Sequence, residues 1–87
     1  YVIGKQILRS GTSIGANYRA ACRARSRPDF VAKLAIAEEE ADETLYWLEL
    51  LGKSGIMKPS RIEKLMKEAD ELVAIMTAAR KTSEHGK

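Results

Sequence analysis

Histidine and cysteine are nearly missing from this sequence, with one of each, His85 and Cys22, in 87 residues. A lone cysteine closes no internal disulfide, and Cys22 reads as a small apolar residue beside a helix seam in a reducing, cytoplasmic setting. One histidine in the polar ending RKTSEHGK excludes a His-rich metal cluster and any Ser/His/Asp or Cys/His catalytic set. The Glu-x-x-His motifs of a di-iron bundle are missing as well. Aromatic residues make up 6 % of the chain, too few for a base-stacking platform. No apolar run approaches the ~18 residues that cross a bilayer, so no membrane partner is expected. The first residue is Tyr1, and the opening YVIGKQILRSG lacks the charged leader and cleavage site of a signal peptide. A trimmed N-terminus and a longer native chain are expected.

What is present is globular in balance, with 45 % hydrophobic and 31 % charged residues. A domain this small buries only ~60 to 65 % of its extended surface on folding, so a partner surface is expected to contribute stability. The charge is strongly sorted. Residues 1 to 33 hold seven bases against Asp29 alone, a net of +6. Residues 34 to 50 hold six acids and no base, a net of −6, and the remainder returns to +3. Such sorting points to a polyanion partner or to charge-matched self-association.

Periodicity predicts three helices in one domain over residues 1–82, at about 2–24, 27–51 and 60–81, with a disordered polar tail at 83–87. The first carries an apolar seam of Ile3, Ile7, Ile14, Tyr18 and Ala21, with Ser10 and Gly11 filling the gap. Gly11 and Gly15 each weaken it by ~1 kcal/mol relative to Ala, a cost that close approach of another helix would offset. The alternative, a phosphate-cradling loop, lacks the preceding strand and the Lys-Ser/Thr ending. The second helix starts with Ser26 as N-cap, Pro28 in its first turn and Asp29 three residues on. Phe30, Leu34, Ala37, Ala41, Thr44, Leu48 and Leu51 then step by four and three, the rhythm of helices packed at a shallow angle. Gly52, Gly55 and Pro59 punctuate the turn, and Ser60 is the expected cap of the third helix, with a seam of Ile62, Leu65, Ala69, Leu72, Met76 and Ala79. Short connections make the three antiparallel neighbours: an all-α, up-and-down helical bundle. Seams this wide leave a groove where a fourth helix can lie.

On the wheel of the first helix, Lys5, Arg9, Arg19 and Arg23 fall within ~80° of one another, opposite the seam. Arg25 and Arg27 extend the stripe into the turn, and Lys33 joins from the next helix. Guanidinium forks suit phosphate oxygens, so Lys5, Arg9, Arg19, Arg23, Arg25 and Arg27 are the candidate nucleic-acid-binding residues. Tyr18 sits in the seam, which leaves binding driven by shape and charge. A solvated face, or one answering a neighbour's acids, is the competing reading. A second stripe on the middle helix, Ile36, Glu40, Glu43, Trp47 and Leu50, is the candidate oligomer interface. Trp47 also reads as an edge-of-core residue. Glu40-x-x-Glu43 and Glu68-x-x-Glu71 resemble the paired carboxylates of magnesium-dependent helical pyrophosphatases, but these acids flank the seam or point away from it, so no metal, cofactor or catalytic residue is assigned.

With those residues placed, the stretch QILRSGTSIGANYRAACRARSRPDFVAKLAIAEEEADETLYWLELL, Gln6 to Leu51, resembles a bacterial four-helix bundle family encoded in intervening sequences of large-subunit ribosomal RNA genes. RSGTSIGAN and EADETLYWLELL carry the likeness. It implies a left-handed up-down-up-down bundle, a homo-oligomer that is frequently a pentameric ring, a basic surface for RNA or another nucleic acid, and no enzymatic activity. A related group, the accessory proteins of diversity-generating retroelements, binds a reverse transcriptase and its RNA. The family's first helix would precede Tyr1, leaving three here. Its motif residues fall on Arg9, Ser10, Ser13, Ile14 and Asn17, then on Glu40, Glu43, Trp47 and Leu48. Most read as structural, with Asn17 hydrogen-bonding within or between subunits.

Overall fold

A computed structural model describes residues 2–85. Among them are three helices and no strand: α1 (Val2–Cys22), α2 (Arg27–Ser54) and α3 (Pro59–His85). Four-residue turns reverse the chain twice, giving an antiparallel, all-α, up-down-up arrangement 47 × 20 × 13 Å in extent. The described residues form a three-helix, up-and-down bundle.

The helix ends follow from local chemistry. Arg23 and Ala24 donate to Ala20 O and Ala21 O at 3.1 and 3.0 Å, and this i→i+3 tightening closes α1 at Cys22, short of the expected Ala24. Ser26 caps α2 as its sequence implies, its hydroxyl accepting from Asp29 N at 3.2 Å. At the other end α2 runs past Gly52 to Ser54 and stops at Gly55, whose φ of 75° only glycine adopts without strain. Gly52 serves close approach instead of termination: a Cβ there would meet Ile62 Cγ2 at 3.2 Å. Pro59, not Ser60, opens α3, because Arg61 and Ile62 both donate to Lys58 O, at 3.0 and 3.2 Å, and proline fits a first-turn position that needs no N–H. The helix continues through His85, past Lys81 and into the tail expected to be disordered, with the Arg80–Glu84 pair at 2.7 Å supporting the added turn. Gly86 and Lys87 lie outside the described residues.

α2 is the middle of the bundle. Its four-three series is buried from Leu34 through Ala37, Ala41, Thr44 and Leu48 to Leu51, with Phe30 half-buried at the edge. α1 packs on one flank and α3 on the other. The α1 seam is centred differently from expectation. Ser10 and Ala21 are its buried residues, Ile3, Ile7 and Ile14 are half-buried, and Tyr18 is 51 % exposed. Small side chains let α1 approach α2 closely there, and the larger ones are displaced to the side. On α3 the buried positions are Ile62, Ala69 and Met76, seven apart, while Leu72 stands exposed.

Among the described residues no Cα of α1 lies within 8 Å of one of α3. An apolar groove of about 690 Å³ runs between them, with Thr44 and Leu48 of α2 as its floor. Ile7, Gly11, Ile14, Gly15 and Tyr18 form one wall; Leu65, Leu72, Ile75 and Met76 stand in the other. The two glycines, expected at a close helix contact, have no atom within 4 Å of the place a Cβ would take. Their faces are bare within this chain.

Candidate nucleic-acid interface

The basic stripe is built by an α1 that contains no acidic residue. Lys5 and Arg19 stand exposed on its outer face, with Thr12 and Ala16 between them, and Arg23 is exposed one residue past its end. Arg25 and Arg27 follow, exposed, around the turn. Thr12 returns its hydroxyl to Leu8 O at 2.8 Å, so the middle of the face presents carbon to solvent more than a free donor.

Arg9 departs from the stripe. Its NH1 donates to Glu40 Oε2 at 3.1 Å, its NH2 donates to Glu43 Oε2, and its Nε to Gln6 Oε1 at 3.2 Å. Trp47 Nε1 donates to the same Glu43 oxygen at 3.1 Å. Three of the five residues expected at an oligomer contact are thus joined to Arg9 in a clamp between α1 and α2 within one chain. Trp47 is half-buried and meets Tyr46 edge-to-face, ring centroids 5.1 Å apart. Leu50 is half-buried beside it, and Ile36 is 40 % exposed. The Glu40-x-x-Glu43 carboxylates, weighed as magnesium ligands, hold a guanidinium and an indole. Among the described residues no group of three or more His, Cys, Asp or Glu gathers to receive an ion.

Beneath the clamp lies a buried polar pair. Thr44 Oγ1 is 2.7 Å from Ser10 Oγ and 2.8 Å from Glu40 O, and Ser10 Oγ reaches Ile7 O at 3.4 Å. Both hydroxyls are therefore satisfied inside the core. Asn17 donates to Ser13 O and Ser13 Oγ at 3.0 and 3.2 Å, within its own helix. On the other flank Glu38 receives Arg80 Nε at 2.5 Å and Thr77 Oγ1 at 3.0 Å. The hydrogen bond that Arg80 donates to Glu38, together with the charges of Glu38 and Glu84, outweighs the opposing effect of burial and holds the guanidinium above its ordinary range. Sequence reasoning missed this second clamp because Glu38 and Arg80 are far apart in the chain and belong to no repeated pattern.

Fold and surface together define a class: a small antiparallel helical bundle, polar-clamped on both flanks of its middle helix and open along one apolar side. Residues 1–78 match the model of the family described as 23S rRNA-intervening sequence protein. The chain belongs to that family. A crystal structure of a protein of unknown function from the S23 ribosomal protein family of Bacteroides thetaiotaomicron superposes with a TM-score of 0.91 at 48 % identity, over 94 % of this chain and 76 % of that one. No curated protein matches the chain.

Proposed function

We propose that this chain is a non-catalytic, self-associating bundle that binds RNA or another nucleic acid through Lys5, Arg19, Arg23 and Arg25, with Arg27 beside them. The observation that carries the reading is the acid-free outer face of α1 and the turn that continues it: Lys5 and Arg19 are exposed on the helix and Arg23, Arg25 and Arg27 are exposed just beyond it, an arrangement that meets a phosphate backbone by charge and not by base. Arg9 supports the α1–α2 contact and is left out of the interface. The tying of Glu40 and Glu43 to Arg9 and Trp47 supports a structural role for the acids over hydrolysis. The family's association with ribosomal RNA genes fits a cytoplasmic, RNA-linked role.

The test is a titration of RNA against salt. Binding should weaken steeply as salt rises, and Arg19→Ala with Arg23→Ala should reduce the log–log slope by about 1.4 to 1.8, at roughly 0.7 to 0.9 per phosphate contact. Affinity indifferent to both salt and the double substitution defeats the proposal. A second reading, an assembly module with no nucleic acid, is favoured by the open apolar groove. Under it the purified particle has a multiple of the 9.7 kDa chain mass and a protein-only ultraviolet absorbance ratio. The same mass measurement tests the fivefold assembly that the resemblance implies.

A further inference from the structure

The stretch from Arg19 to Lys33, at one end of the rod, carries five bases against Asp29, a net of +4. The stretch from Gly52 to Lys67, at the opposite end, carries five bases against Glu63, again +4. Between them α2 holds −6 over residues 34–50, and α3 holds Glu68, Asp70 and Glu71 with no base over residues 68–79. The rod therefore has two basic ends and an acidic waist, broken along α1, where no acid occurs and Arg9 is already paired.

Of the stripe on α1 only Lys5 lies toward the second end, and the bases of the α2–α3 turn have no role in it. Lys53, Lys58, Arg61 and Lys64 are all exposed. The ion pairs described in the structure fall on Arg9 and Arg80, and none involves these four. Arg61 and Lys64 border a surface recess of about 500 Å³ with Ser60, Leu65 and one acid, Glu68. Cations that outnumber the carboxylates beside them repel one another, and a polyanion relieves that repulsion while releasing its own counterions.

We propose that Lys53, Lys58, Arg61 and Lys64 form a second nucleic-acid contact, so that one phosphate backbone bridges both ends of the rod. This rests on the nucleic-acid reading above. The separation sets a length: from the start of α2 to Lys53, at about 1.5 Å per residue, is about 39 Å. That is roughly 12 base pairs of DNA duplex at about 3.4 Å each, and a few more of an A-form RNA duplex, which rises less per pair. A duplex shorter than this reaches one end only. A longer one gains the second contact intramolecularly, at an effective concentration that raises affinity without strengthening either contact. The acidic waist disfavours sliding to a register in which phosphates crowd the middle.

The experiment measures fluorescence anisotropy with double-stranded RNA of about 8 and about 20 base pairs, on the full chain and on the triple variant Lys58→Gln, Arg61→Gln, Lys64→Gln. These positions are exposed and adjoin a turn, and circular dichroism and particle mass confirm that the variant keeps its fold and assembly. The unaltered chain is expected to bind the longer duplex at least tenfold more tightly than the shorter, after correction for the number of overlapping registers. The variant is expected to bind the short duplex within about threefold of the unaltered chain and to lose the length step. A chain that binds both lengths equally overturns the inference and leaves the α1 interface standing. A step that persists in the variant assigns the second contact to another protomer and also overturns it. No binding of either duplex overturns both this inference and the reading it rests on.

Discussion

Along the α1–α2 contact each buried polar atom among the described residues has a partner and the helices approach through Ser10, Ala21, Ala37 and Ala41, whereas the backbones of α1 and α3 stay more than 8 Å apart, facing each other across a groove. The first contact is closed by small residues below and an Arg–Glu–Trp clamp above. The second gap is lined by Ile, Leu, Met and Tyr side chains with bare glycine between them. A surface of that composition is ordinarily buried, and it differs from the closed seam in lacking an opposing helix more than in chemistry. The contrast teaches that the incompleteness of this bundle is confined to one side, and that α2 is complete without the missing neighbour.

The largest test of that contrast compares two leucines. Leu34→Ala should cost about 2 to 5 kcal/mol in urea unfolding, since Leu34 is 1 % exposed in the core. Leu72→Ala, on the groove wall, should cost about 0.5 kcal/mol or less in a chain that stands alone. Equal losses for the two would show that the groove is filled in solution. The next effect concerns the buried hydroxyls. Thr44→Val should cost about 1 to 3 kcal/mol by stranding Ser10 Oγ, and adding Ser10→Ala should recover part of the loss, a coupling that a double-mutant cycle reads directly.

Smaller still, Gly11→Ala and Gly15→Ala should each raise stability by about 0.5 to 1 kcal/mol, because helix propensity improves and nothing stands in the way. A fall in particle mass on either change would mean that a partner helix uses those bare faces. The smallest expected effect belongs to Arg9→Ala. With its guanidinium half exposed, loss of the clamp should cost about 0.5 kcal/mol or less at low salt and still less at high salt. A larger, salt-independent loss would place the clamp inside a subunit contact.

The middle helix was the most legible in sequence because a helix packed on both flanks needs one stripe of fixed rhythm, and its residues from Leu34 to Leu51 keep that rhythm without interruption. α1 was read off-centre. Hydrophobicity ranks Ile and Tyr above Ser, yet at a close contact volume decides, so Ser10 went inside with Thr44 as its partner and Tyr18 went to the groove rim. Arg9 looked like the arginines beside it because charge on a wheel does not reveal which acids of the next helix stand opposite. The end of α3 was missed for a related reason: its polar residues carry no seam, and the support comes from Arg80, which pairs with Glu38 across the bundle and with Glu84 one turn on. The wide seams did announce a groove, since three apolar stripes of that breadth cannot all be covered by three helices.

The placement of α2 between two helices whose backbones stay apart also governs how the chain folds. Each set of tertiary contacts joins helices adjacent in sequence across a four-residue turn. Loop closure is therefore inexpensive at both steps, and low contact order favours rapid folding. Either hairpin can close first, and either outer helix can undock while the other stays in place. The amide hydrogens of α2, which both hairpins share, should then be the last to exchange with solvent, and those of α1 and α3 should exchange as separate cooperative units.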